Sequence, residues 1–193
     1  RGAWLAGADR LGSLGFSHFY SDDVWTQYTP GFLYWLWILG KIGWIHPLAI
    51  KIPVIIADML TGYLICRVVQ KVSSKWASFA YFFYVLNPVL LIDGSIWGQV
   101  DGTLTLAMFA STFYLVEKKN PHMSWVWAGV ALLIKPQAIA IMPLLIMATM
   151  VKYGWRGFIK SGLLSGAIVL LAYWPFFPQN PLTGLILLAQ KMG

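Results

Sequence analysis

Long apolar blocks separated by short polar breaks run the length of this chain, without the regular polar face that a helix on a water-soluble domain carries. Crossing about 30 Å of hydrocarbon takes about 20 helical residues. Blocks near that length lie at 48–70, 76–92, 101–116 and 157–177, and each predicts a membrane span. Residues 124–151 are apolar except for Lys135-Pro136-Gln137 in the middle. They fit either one long kinked span or two short segments placed back to back. Short and broken segments are tolerated at membrane depth where they line a protein cavity.

Composition supports the membrane reading: 59% of the 193 residues are hydrophobic and 11% are charged, whereas a soluble domain is about a quarter charged. The mean hydropathy is +0.67. A pI near 9.6 would suit a nucleic-acid binder in a polar chain, but here it records which loops face the cytoplasm. Cys66 is the only cysteine, so neither an intrachain disulfide nor a cysteine-rich metal site is possible.

Charge separates the two readings of 124–151. With a hairpin whose tip is Lys135, the residues Arg67, Lys71, Lys75, Lys118, Lys119, Lys152, Arg156 and Lys160 share one side, with Glu117 as its single acid. By the positive-inside rule that side is cytoplasmic. The opposite side and the outer halves of the spans balance six basic residues against six aspartates, among them Asp9, Asp22, Asp23, Asp58, Asp93 and Asp101. One long span would move Lys152, Arg156 and Lys160 outside, so the hairpin is preferred.

The expectation is a single all-α transmembrane domain over 1–193. Residues 1–46 form an external loop with interfacial helices, rich in Trp and Tyr between Tyr28 and Trp44. About six membrane segments fill 47–177, including the short broken pair around Lys135-Pro136, and 178–193 begin an external helix. No internal repeat is visible. The chain starts at Arg1 and stops within a helix-like run, which reads as a fragment.

Candidate chemistry gathers on the outer side. Asp93-Gly94-Ser95-Ile96-Trp97-Gly98-Gln99-Val100-Asp101 joins two spans with more functional groups than a connector needs. Asp93 and Asp101 equally suit helix-end caps. An ammonium at Lys135, within an apolar run, suits a phosphate, and a lysine near a span end also suits snorkelling to the interface. Asp58 lies mid-span on the face of Lys51, either as part of a site or as a tie between helices. His18, His46 and His122 fit no metal-ligand spacing. The chain has no nucleotide-binding glycine loop and no Gly-x-Ser-x-Gly elbow, so no cofactor is expected.

These residues, taken in order, resemble the GT-C class of membrane glycosyltransferases, in particular bacterial and archaeal relatives of the glycosylphosphatidylinositol mannosyltransferase. The resemblance rests on Gly15-Phe16 with Tyr20, Tyr28-Thr29-Pro30-Gly31-Phe32-Leu33-Tyr34, Lys51-Ile52-Pro53 with Asp58, Asn87-Pro88, Trp97-Gly98-Gln99-Val100-Asp101, and Lys135-Pro136-Gln137 with Pro143. Thr29 departs from the Tyr-Pro-Pro of such proteins and loosens a turn without touching a chemical group. The acidic base of this class precedes a tryptophan like Trp4, which would put it upstream of Arg1; the N-terminal span and the C-terminal part would be missing with it, and the fragment inactive alone.

The resemblance implies transfer of a hexose such as mannose from a polyprenyl-phosphate carrier to a lipid or glycan hydroxyl, with inversion. The enzyme would be a multi-pass integral membrane protein, of the plasma membrane in a prokaryote, with its site facing outside and no nucleic-acid partner. Lys135 would hold the donor phosphate, Asp101 would orient the acceptor or its base, and Gln99, Trp97, Gln137 and Tyr28 would contact sugar or acceptor. Asp58 and Asp93 would stand behind them. A secondary transporter using Lys51, Asp58 and Lys135 is the alternative, and an assembly subunit a third reading.

Overall fold

In the computed structural model, which describes residues 2–20 and 29–177, every regular element is helical. In chain order they are α1 (Gly2–Leu14), α2 (Pro30–Ile42), α3 (Pro47–Val72), α4 (Ser74–Val85), the short α5 (Pro88–Leu90) leading into a π-helical segment (Leu91–Trp97), α6 (Asp101–Val116), α7 (Pro121–Ile134), a 3-10 turn (Pro136–Ile141) and α8 (Met142–Tyr173). Proline opens α2, α3, α5, α7 and the 3-10 turn, where its missing N–H costs nothing and its fixed φ suits a helix start. The preceding residue often caps: His46 Nδ1 accepts from Leu48 N at 3.2 Å, Asn87 Oδ1 from Val89 N at 2.9 Å and Asn120 Oδ1 from Met123 N at 3.0 Å.

Paired contacts fix how the helices run. Asp58, midway along α3, meets Gly102 at the start of α6, and Lys71 at the end of α3 pairs with Glu117 just past the end of α6, so these two helices are parallel. α4 follows α3 in the chain and runs back along it, with Tyr81 and Val85 against Gly62. α7 is antiparallel to α6, tied by Ser111 to Ser124 at 3.3 Å in the interior and by Lys135 to Asp101 at the far end. Hydrogen bonds of this kind between small side chains join helices where hydrophobic attraction between them is weak.

Three helical runs, Pro47–Val72, Ser74–Trp97 and Pro136–Tyr173, are long and apolar enough to cross a membrane. The third, however, is not one straight rod. Trp125 Nε1 donates to Thr149 Oγ1 at 3.0 Å, so the first limb of α8 descends along α7. His122 then meets Ser161 at 3.1 Å and Gly129 packs on Ser165, so the second limb ascends. The reversal falls at Gly154, whose φ of 69° and ψ of 179° lie outside the range open to most L-residues. The hairpin tipped by Lys135 and the return near 152–160, expected from charge, are therefore present. Arg67–Lys75, Glu117–Lys119 and Lys152–Lys160 all lie toward one end of the bundle, and Lys51, Asp101 and Lys135 toward the other.

α1 and α2 run side by side in the same direction, Trp4 against Phe32 and Gly12 against Gly40. α2 buries Phe32, Leu33, Leu36 and Leu39. Two sequence expectations change. The span at 76–92 is interrupted at Leu86-Asn87, because proline at 88 excludes its predecessor from the helical region. The connector from Asp93 to Asp101 shrinks to Gly98–Val100, since Leu91–Trp97 is helical with π geometry.

Candidate functional site

The site grows from the break after α7. Pro136 forces Lys135 into an extended conformation, φ −149° and ψ 137°, and the helix stops there. Its side chain then leaves the bundle axis, and its ammonium donates to Asp101 Oδ1. Asp101 is the first residue of α6, after Val100, which offers no side-chain cap. The carboxylate stands at the positive end of α6 and the ammonium at the negative end of α7, so both helix dipoles favour the pair. Asp101 thus combines a helix-end position with an ion pair. Its two halves differ: the Lys135 side chain is 18% exposed and that of Asp101 44%, so the carboxylate is the accessible partner.

Two more carboxylates stand close. Asp93, in the π segment, interacts electrostatically with Asp101 and Lys135, and Asp58 with Asp93. Asp58 is 8% exposed and its Oδ1 has no hydrogen-bond partner. Gly94 and Gly102 let it in: a Cβ on Gly102 would stand 2.5 Å from Asp58 Oδ1, and one on Gly94 3.1 Å from Oδ2. Four of the sequence candidates, Asp58, Asp93, Asp101 and Lys135, are thus brought to one end of the bundle. Trp97 is exposed and Gln99 half-buried beside them, while Gln137 is exposed past the break. Tyr28, with Asp22 and Asp23, lies outside the described residues. Among the described residues no group of three or more His, Cys, Asp or Glu side chains could hold a metal.

The sequence presents Thr29 as a neutral departure, and the structure gives it a bond. Its hydroxyl donates to Leu133 O at 2.6 Å, buried, two residues before Lys135. A proline there could not do this, so the departure from the family pattern supplies a donor. The signal available in the sequence was a hydroxyl just ahead of a proline-started helix. Replacing Thr29 with valine keeps the volume and leaves Leu133 O unpaired, so the thermal unfolding midpoint in detergent should fall, for a loss of about 1–3 kcal/mol. An unchanged midpoint would show that the bond contributes nothing. Tyr34 ties the other side of α2, donating to Ala172 O at 2.6 Å. Burial raises its phenol above the ordinary range, so it remains a donor.

Along α3, α6 and α7 beside the ion pair runs an apolar groove of about 380 Å³, with Trp35, Ile56, Leu60 and Trp127 in its walls. Thr103 and Ile134, which also line it, are two residues and one residue from Asp101 and Lys135. The arrangement offers a cation and an accessible carboxylate, with an apolar groove on the adjoining turns of α6 and α7.

The sequence is similar to GPI mannosyltransferase 1 of Candida albicans (strain SC5314), 29% identical over 96 residues, which are 48% of this chain and 24% of the relative. The chain thus spans about a quarter of the length of the curated relative it matches. No family model matches it, and no solved structure does.

Proposed function

We propose that this chain is part of a membrane glycosyltransferase of the GT-C kind, moving mannose or a related hexose from a polyprenyl-phosphate donor to an acceptor hydroxyl with inversion. The observation that carries the reading is the Lys135–Asp101 pair, held at the end of the bundle away from the basic loops, with an apolar groove reaching the neighbouring residues Thr103 and Ile134. The similarity to a mannosyltransferase supports the sugar. By the positive-inside rule the basic end faces the cytoplasm, which puts the pair toward the outer leaflet of a multi-pass protein.

In this reading the groove takes the hydrocarbon of the lipid donor and the Lys135 ammonium exchanges Asp101 for the donor phosphate. The acceptor oxygen attacks the anomeric carbon from the opposite face. The bond from that carbon to the phosphate oxygen breaks, its electron pair passes to the phosphate, and Lys135 offsets the charge that develops. Asp101, released from its partner, accepts a hydrogen bond from the acceptor hydroxyl and orients it, with Trp97, Gln99, Gln137 and Tyr28 around the sugar. The proton leaves to a carboxylate base.

The test is incubation of the full-length protein in detergent with polyprenyl-phosphate mannose and, separately, glucose, followed by mass analysis of lipids and glycans. Wild type should yield a mannose-bearing product of inverted configuration. Asp101→Asn should lower the rate about ten- to a hundredfold, the worth of a hydrogen bond from the acceptor hydroxyl to a charged group. Absence of product from both donors would end the reading. Undiminished transfer by Asp101→Asn would return that residue to a helix-end role.

A further inference from the structure

One ammonium near this site has no part in the chemistry above. Lys51, on the first turns of α3, donates to two successive carbonyls, Ser95 O and Ile96 O, the second at 3.2 Å. Both belong to the end of the π segment, just before Gly98 turns left-handed at φ 79°. Carbonyls in the last turn of a helix have no partner within the helix, and π turns are rare and frequently found at functional sites. The N–H groups of Gly98 and Gln99 both return to Asp93 O, at 2.9 and 3.1 Å.

The stem of Lys51 is engaged as well as its head. A Cβ on Gly98 would lie 3.6 Å from Lys51 Cε and 3.7 Å from Cγ, so the turn rests on the lysine methylenes. Trp4, Pro47, Ile50 and Trp97 close around the same spot and leave about 10 Å³, too little for a ligand. Among the described residues the cation therefore faces main-chain oxygens and packed side chains, with no cavity large enough for a substrate.

We infer that Lys51 is a positioning residue: it clamps the open end of the π segment and so fixes the turn Gly98–Val100 that delivers Gln99 and Asp101 to the site. The clamp is a statement about geometry alone, while its effect on turnover rests on the transfer reaction proposed above. Lysine at this position joins α3 to the segment through two charge-assisted hydrogen bonds, and methionine of similar length would keep the packing and lose both.

The experiment uses the full-length protein with its cysteines, Cys66 included, replaced by serine and a spin label at Ile96→Cys, an exposed position. Lys51→Met should increase the label's mobility, and in the unlabelled protein it should lower kcat about ten- to a hundredfold with donor KM little changed. Lys51→Arg, which can still donate to both carbonyls, should restore most of each. An unchanged spectrum in Lys51→Met overturns the clamp. A looser segment with full turnover overturns its role in the reaction. A raised KM with an unmoved label overturns it in favour of direct contact with the donor. If wild type transfers no sugar, the proposed function fails, and the spin-label result still decides whether the clamp exists.

Discussion

Lys135→Met should reduce turnover about a hundred- to a thousandfold, the range seen when a fixed donor to developing negative charge is removed from a water-poor site. The protein should still fold. Asp101, left without its partner, is 44% exposed and can be hydrated, so the variant does not strand a buried charge. This separates two roles that a single substitution would confuse. If the ammonium serves only to neutralise Asp101, the double variant Lys135→Met with Asp101→Asn removes both charges and should recover rate relative to Lys135→Met alone. If it serves the donor phosphate, the double variant stays as slow as the slower single one or slower. Lys135→Arg should recover only part of the rate, since a planar guanidinium on a longer side chain does not place its charge where an ammonium does. Wild-type kcat in Lys135→Met, measured with saturating lipid donor, would remove the phosphate role and with it the main support for the proposed reaction.

Apolar length and the asymmetry of charge made the helices legible. A run such as 48–70 has few other solutions at bilayer depth, and α3 occupies Pro47–Val72. The hairpin at Lys135 was legible for a different reason. Only a reversal there keeps Lys152, Arg156 and Lys160 with the other basic loops, and the backbone supplies that reversal with proline at 136 and a second one with glycine at 154. The placement of Lys135 and Asp101 on one side of the bundle was legible from the same separation of charge.

What stayed hidden involved main-chain atoms. Lys51 and Thr29 both bond to carbonyl oxygens, which every residue carries, so nothing in the identities of Ser95, Ile96 or Leu133 announces the contact. The π segment was hidden too, because Asp93-Gly94-Ser95 has the composition of a turn. Its helical form depends on Asp93 O accepting from Gly98 and on Lys51 across the interface.

The close approach of α2 to α7 belongs to the same hidden class and makes a strict demand on a single residue. At Gly31 a Cβ would stand 2.4 Å from Leu133 O and 2.7 Å from Leu133 C, both backbone atoms that cannot swing aside. Gly31→Ala must therefore push α2 away from the end of α7. That movement breaks the Thr29 bond to Leu133 O and loosens the contact of a helix whose Leu33, Leu36 and Leu39 are at most 1% exposed. Overpacking of this kind, together with the lost buried bond, should cost about 3 kcal/mol or more. The damage should not stop at stability. Leu133 and Ile134 lead directly into Lys135, so the ammonium shifts with them, and turnover should fall even at temperatures where the variant remains folded. Gly162→Ala is the matched control: it sits in the second limb of α8, where an added methyl group would meet nothing within 4 Å, and alanine there should stabilise by about 0.5–1 kcal/mol through helix propensity alone. Thermal unfolding and transfer assays on both variants decide the matter. Equal behaviour of the two would mean that α2 does not seat on α7 at Gly31, and that the position of Lys135 owes nothing to it.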